Sequence, residues 1–200
     1  MLRFSALACA LTTTVLGVAA CSTEPATPQA AVVSRLEVMN RTPDGVDPCP
    51  LSGEWIKIGN FRGPGQNETQ LVLDGADQGG VPVKVDCAVI DNGGSFQVDA
   101  KGEVEGTEGG VVQLTGTFSP SGKQENVAVT FGRADYGSYT ATDCTVSYYA
   151  ANEDENQPSF RGVAAGRVWG FLTCLEVKAP DRNRACKASM QFRFENCAQE

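Results

Sequence analysis

Apolar and polar side chains alternate with period two through four separate runs of this chain, and that alternation limits the possible folds more than any other feature. In the run from Val81, residues Val81, Val83, Val85, Cys87 and Val89 share one face, while Lys84 and Asp86 take the other. From Phe96 the apolar set is Phe96, Val98, Ala100, Gly102 and Val104, set against Gln97, Asp99, Lys101, Glu103 and Glu105. Val127, Val129 and Phe131 follow the same rule. So do Cys186, Ala188, Met190, Phe192 and Phe194, which face away from Lys187, Gln191, Arg193 and Glu195. Successive side chains of a strand point to opposite faces of its sheet, so each run reads as a strand with one buried face. No stretch sustains the spacing of a helical stripe.

Turn chemistry separates the runs: Gly63-Pro64-Gly65, Asp77 to Gly80, Asn92-Gly93-Gly94, Gly106 to Gly110, Ser119 to Gly122, Ala134 to Gly137 and Pro180 to Asn183. These residues supply positive φ, a preset φ or a local side-chain hydrogen bond. The pattern predicts an all-β domain, an antiparallel β-sandwich of about eight to nine strands, with an up-and-down β-barrel as the alternative. The small residues Ala164-Ala165-Gly166, ahead of the apolar Val168 to Leu172, fit a close approach of two backbones.

The chain begins differently. Arg3 precedes an apolar run from Phe4 to Ala20 that is diluted by Thr12, Thr13 and Thr14 and broken by Gly17. A spanning helix needs about 20 strongly apolar residues, so this run reads as a cleaved export signal over residues 1–20. Its end, Val18-Ala19-Ala20-Cys21, resembles the lipobox of bacterial lipoproteins: an aliphatic residue, two small ones and a cysteine. That resemblance implies peptidase recognition of Val18, Ala19 and Ala20, a diacylglyceryl thioether on Cys21, and acylation of the new amino terminus with a fatty acid such as palmitate. With Ser22 rather than Asp next, it also implies the outer membrane.

Cysteine arithmetic agrees with that reading. Of the eight cysteines, Cys9 leaves with the signal and Cys21 takes the lipid, which leaves Cys49, Cys87, Cys144, Cys174, Cys186 and Cys197. An even set suits an oxidising compartment, whereas ordinary cleavage after Ala20 would leave an odd thiol. Six cysteines allow 15 connectivities. One reasoned choice pairs Cys87 with Cys144, both on apolar faces. It then pairs Cys174 with Cys186 across the Pro180 to Asn183 turn, and Cys49 with Cys197 as the two ends of the domain. No Cys-x-x-Cys suggests redox work.

Residues 21–48 are rich in Pro, Thr, Ala and Gln and read as a flexible tether, with Val32, Val33, Leu36, Val38 and Met39 able to form one short element. Residues 49–200 then form the disulfide-stapled domain.

Net charge is −8, so the chain carries no footprint for phosphate backbones, and nucleic acid is not an expected partner. Histidine is absent, which removes histidine-based triads, proton shuttles and the usual catalytic zinc sets. No cofactor or metal is expected.

Four side-chain groups remain as candidates for chemistry. Glu103 and Glu105 share a strand face, as paired hydrolytic carboxylates can, although a solvated outer face explains them as well. Asn152 to Asn156 offer oxygen ligands for calcium without the spacing of an EF-hand. Tyr136, Tyr139, Tyr148, Tyr149 and Trp169 could stack on a glycan or pack in a core. Gly53-Glu54-Trp55 resembles the opening motif of lipocalins and other calycins. That likeness implies a barrel plugged by Trp55, covered by Arg167 or Arg193, and able to carry one small apolar ligand.

The expected function is that of a non-enzymatic binding or structural module in the bacterial cell envelope, joined to the membrane by its lipid and engaging an unidentified envelope protein or surface ligand. A carrier of a small apolar molecule is the alternative.

Overall fold

The structure, a computed structural model, describes residues 25–39, 45–50, 52–61, 69–107, 109–150, 153 and 161–200. Val18, Ala19, Ala20 and Cys21 lie outside the described residues. The described chain is nearly all strand: β1 (Gln29–Glu37), β2 (Gly53–Ile58), β3 (Asn60–Phe61), β4 (Thr69–Gln70), β5 (Val72–Leu73), β6 (Val83–Asp91), β7 (Phe96–Val104), β8 (Gly110–Phe118), β9 (Gln124–Arg133), β10 (Gly137–Ser147), β11 (Gly162–Ala164), β12 (Arg167–Ala179) and β13 (Arg184–Glu195). A single 3-10 turn, Pro180–Arg182, interrupts them.

The all-β expectation holds. Nine strands form one antiparallel path in the order β2-β1-β13-β12-β10-β9-β8-β7-β6, with β5 added to β1 and β11 to β12. The inward faces are the apolar sets of the alternation: Val83, Val85, Cys87 and Val89 of β6, Phe96, Val98 and Ala100 of β7, and Cys186, Ala188, Met190, Phe192 and Phe194 of β13 are all buried. Gly63-Pro64-Gly65 lies outside the described residues; the other turns follow their residues too. In the β6–β7 hairpin Asp91 Oδ1 accepts the Gly93 N–H at 2.7 Å, and Gly93 and Gly94 take φ of 75° and 119°, which side chains resist.

The path curls until it nearly closes as a barrel. The outer edge of β6 is taken by the carboxyl-terminal tail: Ala198 N donates to Cys87 O at 2.9 Å, and Val89 N to Ala198 O at 2.8 Å. Gly166 joins them, its N–H donating to Val89 O at 3.2 Å while its carbonyl accepts from Cys197 N at 3.0 Å. A Cβ on Gly166 would lie 2.7 Å from Gln199 Nε2 and 3.3 Å from Cys197 O, so this is the close backbone approach that Ala164-Ala165-Gly166 suggested. Farther along β6, Val83 exchanges backbone bonds with Gly75 and Ala76, and Asp74 Oδ1 accepts the Val85 N–H. On β2, the amide of Gln78 stands in for a neighbouring strand, donating to Lys57 O at 2.9 Å and accepting from Gly59 N at 2.6 Å.

Opposite walls meet across a filled core, with β2 packed on β7 and β8. A Cβ on Gly102 of β7 would lie 2.8 Å from Ile58 Cδ1 and 3.7 Å from Val32 Cγ2. One more methyl group there would have to displace the end of the Ile58 side chain. Phe118, Phe131, Phe192, Phe194 and Tyr139 fill the rest as fully buried rings.

Two expectations need correction. Residues 29–37 do not belong to a tether, because β1 is an interior strand bonded to β13 over nine residue pairs and to β2 on its other side. Its side chains Ala30, Val32 and Leu36 are buried and complete the core that β13 alone would leave open on one flank.

The disulfides also differ from the expected set: the bonds are Cys49–Cys186, Cys87–Cys197 and Cys144–Cys174. Cys87 and Cys144 are both buried, but β7, β8 and β9 stand between their strands. Cys174 does not meet Cys186, because it stands six residues before the turn and Cys186 only three after it: the ladder sets Val177 opposite Cys186 and, past a bulge at Leu175 and Glu176, Cys174 opposite Ala188. Cys144 instead lies level with Cys174, in the register that pairs Thr145 with Thr173, and their Cα atoms are 4.5 Å apart. That is the spacing of a non-hydrogen-bonded antiparallel pair. Cys49 and Cys197 are not the meeting ends of the domain. The segment Gly45–Cys49 crosses the β12–β13 hairpin, where Asp47 N donates to Asn183 O, while Cys197 sits on β6.

Candidate functional site

Trp55 enters the core through a bulge. Ser34 opposes Ile56 and Arg35 opposes Glu54, so Trp55 is the extra residue on β2 and joins Ile56 on the inner side. Its ring meets Tyr139 edge-on with centroids 5.6 Å apart, and Tyr136 at 5.8 Å. The Arg133 guanidinium lies 5.5 Å from the Trp55 centroid and 5.2 Å from that of Tyr136. The arginine over this tryptophan therefore comes from β9 and is neither Arg167 nor Arg193. Arg167 is exposed at the start of β12, and Arg193 lies over Trp169 at 4.5 Å.

The carboxylates Glu103 and Glu105 are separately neutralised. Glu103 pairs with Lys101 at 2.8 Å, and Glu105 pairs with Lys84, whose ammonium is held protonated above its usual range by that hydrogen bond. They border a shallow depression of about 680 Å³, shared with Gly110 and Arg133, between the β7–β8 and β9–β10 turns. Of Asn152 to Asn156, Glu153 alone falls within the described residues. Arg161 donates two hydrogen bonds to its carboxylate and Ala150 N donates a third at 2.9 Å. The Arg161 bonds foremost, and then that of Ala150, hold Glu153 below the usual carboxylate range.

The aromatic candidates divide. Tyr139 and Tyr148 are core residues, and burial raises both hydroxyls above their usual range. Tyr148 donates to Ser119 O at 2.7 Å, which locks the β8–β9 turn to the end of β10. Trp169 is half-buried beneath Arg193 and Arg161, and Tyr136 beside Trp55. Tyr149 is the only one of the five that lines the larger cavity.

That cavity is a groove of about 820 Å³ on the outer face of β2, β1, β13, β12 and β10. Register builds its floor as two transverse rows. One runs Lys57, Val33, Gln191, Phe171, Ser147, and the other Glu54, Arg35, Ser189, Thr173, Thr145. Asn60 and Phe61 bound it beyond β2, and Lys123, Tyr149, Ala150 and Glu153 bound it beyond β10. The Arg161 guanidinium lies 4.7 Å from the Phe171 ring centroid and braces it while bonding Glu153.

Thr145, Thr173, Ser189 and Gln191 make no side-chain hydrogen bond among the described residues, so four neutral polar groups on the floor stay open to an occupant. None of the four stood out in the sequence. Their outward phase could be read from the alternation, but their assembly into rows comes from the pairing of five strands.

The chain matches no protein-family model, no curated protein and no solved structure.

Proposed function

We propose that this chain is a lipoprotein of the bacterial envelope, held in the outer membrane through Cys21, whose domain binds an envelope component non-enzymatically in its outer-face groove. The groove carries this reading: about 820 Å³ of open space, with four unused hydrogen-bonding side chains on a rigid five-strand floor. Sites of this volume suit small-molecule-sized ligands, and a floor made of paired strands costs little ordering on binding. The interior is a poorer candidate for cargo, since the walls at Gly102 already meet and five aromatic side chains fill the space between them. The six paired cysteines suit export to an oxidising compartment, and lipidation of Cys21 would account for the remaining thiol of the mature chain.

The test uses the full chain expressed in a bacterial host. Acyl mass on the Cys21 peptide, and release of a Cys21→Ser variant from the membrane, are expected. Photo-crosslinking residues at Thr173 and Ser189 should capture an envelope component, while the same residue at Asp86, on the outer face of β6, should not. Equal capture at all three positions, or none at any, would count against the groove. An unmodified Cys21 peptide would count against the anchor.

A further inference from the structure

We infer that the occupant of the groove is an uncharged oligosaccharide laid across β2, β1, β13, β12 and β10. This rests on the reading of the groove as a binding site and adds the chemical class of its ligand.

An extended peptide could join a ladder only at the outer edge of β2, where the Gln78 amide already takes Lys57 O and Gly59 N. β1, β13, β12 and β10 each have a neighbour on both sides, so their backbone groups are consumed in ladders and recognition falls to side chains. A wholly apolar ligand would strip water from Thr145, Thr173, Ser189 and Gln191 without replacing its hydrogen bonds, and each buried unpaired group of that kind costs about 1–3 kcal/mol.

A polycation meets a groove with more positive than negative side chains, and a polyanion finds no concentrated positive cluster, because the charges are spread or faced by opposite ones. Arg35 stands opposite Glu54, and Arg161 is spent on Glu153. Lys57 and Lys123 border opposite sides of the floor, four strand spacings or roughly 19 Å apart.

Sugar hydroxyls both donate and accept, as do Ser and Thr hydroxyls and the Gln amide group. The carbon face of a sugar ring is apolar and suits Phe171 and Tyr149, which lie on and beside the same floor. The donor-acceptor groups Gln191, Ser189, Thr173 and Thr145 adjoin Phe171 across β13, β12 and β10, so polar edge and apolar face are met together. Ser147 contributes less, since its hydroxyl already donates to Tyr149 O at 3.0 Å and accepts from Tyr149 N at 3.1 Å.

The experiment titrates the isotopically labelled mature chain with three neutral tetrasaccharides: the β1,4-linked N-acetylglucosamine tetramer, cellotetraose and maltotetraose. Amide shifts centred on Thr173, Ser189 and Gln191 are expected with at least one of them, and the one that binds separates an amino-sugar glycan of the wall from a plain glucan. Ser189→Trp, which fills the floor from an outward position, should weaken binding at least about tenfold, or about 1.4 kcal/mol. Gln191→Ala and Thr173→Ala should each weaken it several-fold, and they serve in its place if the tryptophan variant misfolds. Asp86→Asn, on the far wall, should leave binding unchanged. If no tetrasaccharide shifts the groove amides at about 10 mM, or if binding survives Ser189→Trp in a folded protein, the oligosaccharide is excluded. Groove-specific crosslinks to a protein without any sugar binding would also exclude it, while leaving the binding module itself standing.

Discussion

Tyr148 shows how one side chain couples fold and pH in this protein. Its ring is buried and its hydroxyl donates to Ser119 O at 2.7 Å, so ionising it would leave a buried phenolate facing a carbonyl. Burial accordingly holds its proton well above the ordinary tyrosine range. The unfolded chain releases that proton near pH 10 while the folded one keeps it. The contribution is whole below about pH 10 and is lost as pH climbs from there toward the folded value. Tyr148→Phe should therefore lower stability by about 1 kcal/mol at neutral pH and flatten the alkaline decline of the urea midpoint. A variant that declines as steeply as the parent between pH 9 and 11, on the order of the ordinary tyrosine range, would place the alkaline loss elsewhere. The neighbouring core explains why this residue was hard to assign: an outward tyrosine on a strand and an inward one look alike until the strand's phase is known.

Bulges decide the chemistry at the scale of elements. On β2 the extra residue turns Trp55 inward beside Ile56, and on β12 the extra residue shifts Cys174 from the row of Ser189 to that of Ala188. Cys174 and Cys186 flank the Pro180 to Asn183 turn at six and three residues, so the ladder that starts at Ala179 and Arg184 gives Cys186 to Val177 and leaves Cys174 farther along. The β10–β12 register instead sets Cys144 directly across from Cys174, closing a stretch of 30 residues. Non-reducing peptide mapping should recover the Cys144–Cys174 peptide pair, and replacing both residues by Ala should cost about 3–4 kcal/mol of loop-closure entropy. Recovery of a Cys174–Cys186 peptide would contradict the β12–β13 register. The unfolding slope should rise as the midpoint falls, because the unbridged chain exposes more surface when it unfolds.

The position of β1 changes how the whole molecule would stand on a membrane. Thr27 O accepts from Asn196 Nδ2 at 3.0 Å and Pro28 O from Asp74 N at 2.8 Å, so the chain is tied to the domain from Thr27 onward. Six residue steps separate Thr27 from Cys21, and fully extended they span roughly 22 Å. A lipid on Cys21 would thus hold the end of the sheet near Gln29 and Leu73 close to the bilayer, with Leu175, eight residues up β12 from Arg167, roughly 26 Å farther along the strands. Energy transfer to acceptor lipids should be stronger from a dye at Leu73 than from one at Leu175, and a long Gly-Ser insert after Ser22 should erase the difference. Equal transfer without the insert would mean that the domain swings freely. In this stance the groove rows through Val33 and Arg35 lie above the bilayer, reachable by a ligand from the side.

Alternation and turn residues were enough to establish which faces of β6, β7, β9 and β13 are buried and where the hairpins bend, because pleat and turn geometry act over a few neighbouring residues. An even set of six domain cysteines was legible in the same way. The partners of those cysteines, the promotion of residues 29–37 from tether to interior strand, the stacking of Arg133 rather than Arg167 or Arg193 on Trp55, and the rows of the groove were settled only by the assembled sheet. Each depends on which distant strands become neighbours and in what register. A period-two pattern says which way a side chain points, but register decides what lies beside it, and one bulge is enough to change the answer.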